Sequence, residues 1–75
     1  MKGKQQRTRE RPPSLQYEIG TQLRVIHPEV SLLWGHTGTV VGYVLDGYTG
    51  PEYAMQFPNH PRALYYFGPR ETELA

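Results

Sequence analysis

Glycine and proline interrupt this chain so often that they limit the secondary structure it can form. Eight Gly and seven Pro occur in 75 residues, and the apolar windows between them are only about five to seven residues long, too short for a core helix. Short windows rich in β-branched and aromatic residues, bounded by turn residues, are typical of strands. Four such windows cover residues 22–27, 39–45, 52–57 and 63–67. The sequence therefore predicts an all-β chain.

Short turns between the four windows favour an antiparallel meander. At this size, a small and strongly bent barrel is the arrangement that protects the edges of such a sheet. Residues 71–74 supply a 3₁₀ turn and a short closing strand, which makes five strands. A chain this short buries only about 60% of its unfolded surface and has no room for a second domain. We expect one five-stranded barrel over residues 17–75.

The N-terminal arm differs from the rest of the chain in charge and in apolar content. Five basic residues and one Glu give residues 1–11 a formal charge of +4, whereas the remainder carries −3. Residues 1–16 contain one large aliphatic side chain after Met1, Leu15, which cannot offset an ordering cost of about 1–2 kcal/mol per residue. The pattern predicts a disordered basic arm over residues 1–16, with Pro12-Pro13 as a stiff spacer. Such an arm attracts nucleic acid or an acidic partner only weakly and in a salt-dependent way, and it also fits a solubilising arm with no specific partner.

Cysteine content and hydropathy indicate the cellular compartment in which the chain works. The absence of cysteine excludes a disulfide framework, a thiolate nucleophile and a Cys-bearing metal site, so a reducing compartment is the simpler expectation. Apolar stretches without charge, Gly, Pro or His reach only five residues, as at residues 30–34, far short of the roughly 18 residues that a membrane span needs. The N-terminus lacks the apolar core of a signal peptide. We expect a soluble, cytoplasmic protein with no membrane span.

Catalytic chemistry finds little support in the sequence. His27 and His60 each precede a Pro, which favours an extended or turn backbone. With His36 they show neither the i, i+4 spacing nor the Cys partners of a metal site. No Ser lies in a nucleophile elbow, and no helix follows the glycines of residues 35–42 to bind a phosphate. The residues favour a binding module over an enzyme, and no metal site is predicted.

Period-two alternation assigns side chains to the two faces of each predicted strand. The predicted interior positions are Leu23, Val25, Val40, Val44, Ala54, Leu64 and Tyr66. On the third strand, alternation then leaves Tyr53, Met55 and Phe57 outside. On the fourth strand, it leaves Tyr65 and Phe67 outside.

An exposed aromatic surface follows from this alternation. Aromatic side chains supply large contact area at low entropy cost in the centres of interfaces. The predicted partner-binding residues are Trp34, Tyr53, Tyr65 and Phe67. Trp34 also fits a cap over the open end of the barrel, and Tyr65 also fits a half-exposed position without a partner. The partner is either a second copy of the chain or a larger protein.

Several motifs follow one another along residues 18–75: Gly20-x-x-Leu23-Arg24-Val25, His27-Pro28-Glu29, Gly38-Thr39-Val40, Tyr53-x-x-x-Phe57 and a closing Glu-x-x-Leu-type segment. This order resembles the SH3-like barrel of the electron-transport-accessory superfamily. Its branches include the ferredoxin-docking subunit of photosystem I, the ferredoxin–thioredoxin reductase variable chain and the barrel of the nitrile hydratase β subunit. The resemblance implies a barrel that docks on a larger protein, redox proteins included.

One spacing has the longest match without gaps. Val41-Gly42 and His60-Pro61 are separated by seventeen residues, with Thr49, Tyr53 and Ala54 between them. This spacing is similar to that of the plasmid-borne type II dihydrofolate reductases, NADPH-dependent enzymes that work as homotetramers around a central pore. Their pore-lining tetrad corresponds here to Leu64-Tyr65-Tyr66-Phe67. The resemblance implies Tyr65 and Tyr66 as catalytic residues, and Arg24, Tyr65 and Phe67 as binding residues for NADPH.

Two functions are thus expected from the sequence. The first is a non-catalytic accessory or assembly module, which self-associates or docks on a larger protein through an aromatic strand face. The alternative is a type II dihydrofolate-reductase-like enzyme with an altered pore. A nucleic-acid-binding groove ranks third, because the body outside the arm carries only three Arg and is net acidic.

Overall fold

The computed structural model describes residues 7–48 and 50–75, which form one antiparallel β-sheet. Six strands follow along the chain: β1 (Arg7–Thr8), β2 (Gln22–Val25), β3 (Thr37–Gly47), β4 (Gly50–Phe57), β5 (His60–Phe67) and β6 (Thr72–Leu74). A 3₁₀ turn, Pro69–Glu71, precedes β6. No α-helix occurs in the described residues, so the all-β prediction is confirmed.

The strand order is β5-β4-β3-β2-β6, with β1 paired to β3 beside this path. β5 and β6 are the two ends of the path, and no pairing joins them in the described part of the chain, so the sheet is not closed. The structure has one strand more than the five predicted, because β1 lies within the arm that was expected to be disordered. The predicted 3₁₀ turn and short closing strand are both present.

β3 is the longest strand, and it organises the sheet because it pairs with β1, β2 and β4. Its register against β4 shifts twice, and irregularities of this kind bend a strand and increase its twist. At Gly38, an added Cβ atom would lie 2.7 Å from the Phe57 ring and 2.9 Å from the Gln56 carbonyl oxygen. Only glycine therefore allows β3 to pass this close to β4.

The core brings together side chains from β2 to β5 and from two connecting segments. Its members are Leu15, Leu23, Val25, Leu33, Val40, Tyr43, Tyr53, Met55, Phe57 and Phe67. Tyr17, Ile19 and Tyr65 pack against this core and are partly buried. Of the predicted interior positions, those found buried are Leu23, Val25, Val40, Val44 and Ala54.

Two predictions about strand faces are wrong. Tyr53, Met55 and Phe57 were expected on the outer face of β4, but all three are buried. Tyr66 was expected in the core, but it is 37% exposed. Leu64, a further predicted interior residue, is only half-buried.

Aromatic packing explains this reversal. The Phe57 ring lies 5.9 Å from the Tyr65 ring and 6.2 Å from the Phe67 ring, edge-on in both cases. The two β5 rings therefore share the inner face with Phe57, and alternation turns Tyr66 outward. A narrow closed barrel would favour small inward side chains, whereas this sheet leaves room for several rings.

The prediction of a disordered arm is wrong for residues 7–16. β1 pairs with β3, and Leu15 is fully buried in the core. One aliphatic side chain is enough because it enters the core of the sheet and needs no separate core of its own. Residues 1–6 of the predicted arm lie outside the described residues, as does Thr49.

Candidate functional site

The β2–β3 loop, residues 26–36, joins two neighbouring strands with an ordered backbone. At its start, two consecutive N–H groups donate to the Glu71 carbonyl oxygen, at 2.8 and 3.3 Å. At its end, the Gly35 N–H donates to the Val25 carbonyl oxygen at 2.8 Å. The φ of Gly35 is 82°, a left-handed value that favours glycine. Both ends of the loop are thus fixed to the sheet and to the 3₁₀ turn.

Ser31 fixes the middle of the loop. Its N–H donates to the Pro28 carbonyl oxygen at 3.0 Å. Its hydroxyl oxygen accepts from the Leu33 N–H, and its carbonyl oxygen accepts from the Trp34 N–H, each at 3.1 Å. These hydrogen bonds hold the loop backbone in place, and none of them uses the side chain of residue 30, 32 or 34.

Three large apolar side chains of this loop lie in solvent. Val30 is 90% exposed, Leu32 93% and Trp34 50%, whereas Leu33 is buried in the core and anchors the loop. Single exposed apolar residues are ordinary on protein surfaces. Three within residues 30–34, on a hydrogen-bonded backbone, are a candidate interaction surface. We call Val30, Leu32 and Trp34 the apolar loop surface.

Of the four predicted partner-binding residues, Trp34 alone lies largely in solvent. Tyr53 and Phe67 are buried, so the prediction that they form an exposed face is wrong. Tyr65 is half-buried, with its ring 5.7 Å from the ring of His60. The aromatic strand face predicted from the sequence is therefore not a surface of the described chain.

The residues that the reductase resemblance implies are not brought together in this chain. Arg24 lies on β2, and its guanidinium forms an ion pair with Glu73 of β6. Tyr65 and Tyr66 lie on β5, and two strands separate β5 from β2 in the sheet. Phe67 belongs to the core. Within one chain these residues form no common site for NADPH, so the reductase alternative stays a prediction and no reaction step is assigned to it.

The titratable side chains of residues 7–48 and 50–75 form no cluster that could hold a metal ion, because no three His, Asp or Glu side chains among them lie close enough together. Burial is the main cause that raises the pKa of the Tyr43 phenol above its ordinary value of 10.0, although the charge of Arg11 opposes the rise. The Tyr43 hydroxyl donates to the Tyr17 carbonyl oxygen at 2.9 Å. A buried phenol with a backbone partner has a structural role.

Val30 and Leu32 are the candidate residues that the sequence prediction missed. They belong to the five-residue apolar stretch 30–34, which was considered only as a membrane span. The signal that identifies them is position: turn residues, Pro28 and Gly35, bound this stretch. An apolar stretch in a loop cannot bury every side chain against the sheet, so some of them face solvent.

Comparison with protein-family models, with curated proteins and with solved structures finds no match to this chain. Within residues 7–48 and 50–75, no helix is long and apolar enough to cross a membrane. Function is therefore inferred from the geometry of the chain itself.

Proposed function

We propose that this chain is a non-catalytic assembly module with an SH3-like barrel fold, and that it self-associates through the apolar loop surface. The observation that carries this proposal is the exposure of Val30, Leu32 and Trp34 on a loop whose backbone is held by hydrogen bonds. A fixed loop loses little conformational entropy on binding, so its apolar area contributes more fully to affinity. Trp is also among the residue types most enriched in interface hot spots.

The strand order supports the SH3-like part of the proposal. Successive antiparallel neighbours from β2 to β5, a long irregular β3 and a 3₁₀ turn before the last strand agree with the barrel that the sequence resemblance implies. β6 returns to pair with β2, so the last strand lies beside the first strand of the run from β2 to β5. The β2–β3 loop precedes Thr37, at the end of β3 opposite Gly47.

The chemistry of the loop favours a second copy of the chain as the partner. Two copies related by a twofold axis bring the same surface together, so apolar side chains face apolar side chains. Burial of one fully exposed apolar side chain contributes about 1.5–3 kcal/mol, so Val30 and Leu32 from two copies contribute roughly 6–12 kcal/mol. The two half-exposed Trp34 side chains add less each. Association costs about 4–15 kcal/mol. Both copies must therefore contribute their apolar side chains for the contact to be stable.

Charge does not oppose this association. The formal net charge of the whole chain is +1, so two copies repel each other only weakly. Within residues 26–36, Glu29 is the single Asp, Glu, Lys or Arg. The centre of the apolar loop surface is thus without formal charge, and depletion of charge is typical of interface cores.

Sedimentation velocity of the full chain and its loop variants tests the proposal. We expect the wild-type chain to reach at least twice the mass of one chain at micromolar concentration. The double variant Leu32→Ser with Trp34→Ser should sediment as a single chain. It lacks two of the apolar side chains whose burial would stabilise the contact. The matched control is Tyr48→Ser, which removes another exposed apolar ring, 97% exposed, at the opposite end of β3. This control should assemble like the wild type.

Two outcomes would contradict the proposal. One is a wild-type chain that keeps the mass of a single chain at every concentration, which would assign the loop to a different protein partner. The other is self-association that the loop variants leave intact, which would place the interface elsewhere on the sheet.

A further inference from the structure

The ordered N-terminal segment carries three arginines, Arg7, Arg9 and Arg11, which we call the basic strip. All three are exposed, and the pairing of β1 with β3 holds the start of the strip against the sheet. No hydrogen bond or ion pair within the described residues engages the side chains of Arg7 and Arg9. Their charges are therefore available to a partner.

Two of these arginines face one cleft. Arg9 and Arg11 border an open cleft of about 310 Å³, and its other lining residues are Glu18, Ile19 and Tyr43. The Nη1 of Arg11 donates to the Leu15 carbonyl oxygen at 2.7 Å. This bond orients the guanidinium and leaves its remaining N–H groups for another acceptor. The cleft thus holds two cations and one carboxylate.

We propose that the basic strip binds the phosphate backbone of a nucleic acid. Guanidinium groups match phosphate oxygens in a bidentate geometry and stay charged at physiological pH. A protein partner would need apolar anchors at the centre of the contact, but residues 7–11 are Arg, Thr, Arg, Glu and Arg. Neutralisation of phosphates without readout of base sequence is the chemistry that this composition offers.

The surrounding chain extends the positive charge in sequence. Lys2 and Lys4 lie within five residues before Arg7, and residues 1–11 together have a formal charge of +4. The strip is already fixed to the sheet, so it loses less conformational entropy on binding than a disordered arm does. Its charge therefore contributes more fully to affinity.

The strip and the apolar loop surface lie at different ends of β3. Arg7 pairs opposite Val44, near the end of the strand, whereas the β2–β3 loop precedes its first residue, Thr37. The strip therefore does not overlap the apolar loop surface, and binding of nucleic acid does not require the proposed self-association. A dimer formed through the loops would present two strips to the same nucleic acid and bind it more tightly.

Binding of a fluorescein-labelled oligothymidylate to the full chain, followed by anisotropy over a range of salt concentrations, tests the inference. We expect the double variant Arg7→Gln with Arg9→Gln to bind about tenfold more weakly at low salt. The slope of log affinity against log salt concentration should become shallower by about 1.4, because each phosphate contact on a single strand contributes about 0.7.

A matched control removes two arginine charges outside the basic strip. Arg62 and Arg70 are exposed on β5 and on the 3₁₀ turn, and Arg62→Gln with Arg70→Gln should keep the affinity within about twofold of the wild type. Glu18→Gln should change the affinity in the opposite direction. It removes the carboxylate from the cleft and should strengthen binding of the oligothymidylate. Thermal unfolding of every variant verifies that the fold is unchanged.

Several results would overturn the inference. They are no binding by the wild-type chain at low salt, an affinity that does not depend on salt, and an equal loss in the control and strip variants. Displacement of the oligothymidylate by polyglutamate at equal charge concentration would instead assign the strip to an acidic protein.

Discussion

The phenol oxygen of Tyr53 accepts a hydrogen bond from the backbone N–H of Gln16 at 3.0 Å, across 37 positions of sequence. The same oxygen accepts from the N–H of Tyr17 at 3.2 Å. Tyr53 is 1% exposed and lies on β4, so a core side chain satisfies the backbone of the N-terminal segment. This contact, together with the buried Leu15, explains why the segment is ordered although it has almost no apolar content.

Tyr53→Phe keeps the ring and removes the oxygen. We expect the free energy of unfolding to fall by about 1–3 kcal/mol, because two backbone N–H groups lose their acceptor beside the core. Urea denaturation measures the change. Tyr48→Phe is the matched control, since Tyr48 is 97% exposed and its hydroxyl can be replaced without loss. Equal denaturation midpoints for Tyr53→Phe and the wild type would show that this oxygen does not hold the segment.

Leu15→Ala tests whether the N-terminal segment is part of the core. A fully buried Leu should cost about 2–5 kcal/mol of the free energy of unfolding when it is truncated to Ala. Leu45→Ala is the control, because Leu45 is 55% exposed on β3 and should cost far less. If the two variants unfold at the same urea concentration, residues 7–16 do not pack on the sheet in solution.

The stability of the chain should decline at alkaline pH through Tyr43. The folded state favours the protonated phenol, since burial raises the pKa of this group above 10.0. The stability contributed by the protonated form is thus fully present below the unfolded pKa of about 10 and is lost as pH rises through the folded value. Denaturation across this range, with Tyr43→Phe as the comparison, measures the effect. Parallel declines in the two proteins would contradict it.

Dihydrofolate reduction with NADPH is not expected from this chain. Hydride transfer requires two rings placed by oriented polar contacts, and a misplacement of about 1 Å can cost 10²-fold in rate. Arg24 is paired with Glu73, and Phe67 lies in the core. A spectrophotometric assay of NADPH consumption should show no turnover. Turnover that disappears in Tyr65→Ala or Arg24→Ala would support an enzyme and contradict the module.

Turn residues made the strands from β2 to β5 predictable. Gly and Pro act on the backbone locally, so the windows they bound can be found without knowledge of distant contacts. β3 illustrates the limit: it runs over Thr37–Gly47, beyond the predicted window 39–45, because pairing with β2 and β4 extends it at both ends.

The features that could not be predicted depend on contacts between strands that are distant in the sequence. Alternation on β5 shows that Tyr65 and Phe67 share a face, but not which face meets the core, and contact with Phe57 of β4 settles that choice. The contribution of Leu15 to the core was underestimated for the same reason, because its core partners lie in later strands. Trp34 was predicted as a contact residue from the sequence, whereas the exposure of Val30 and Leu32 beside it depends on the hydrogen bonds that shape the loop.

The emission of Trp34, the single Trp of the chain, tests self-association through the apolar loop surface most directly. Half of this side chain is exposed, so at low protein concentration its emission maximum should be that of a hydrated indole. We predict a shift to shorter wavelength as concentration rises, in step with the sedimenting mass. Leu32→Ser, which keeps the indole but weakens the contact, should shift only at higher concentration. An emission maximum that stays constant while the chain self-associates, or a chain that never self-associates, would contradict assembly through this loop.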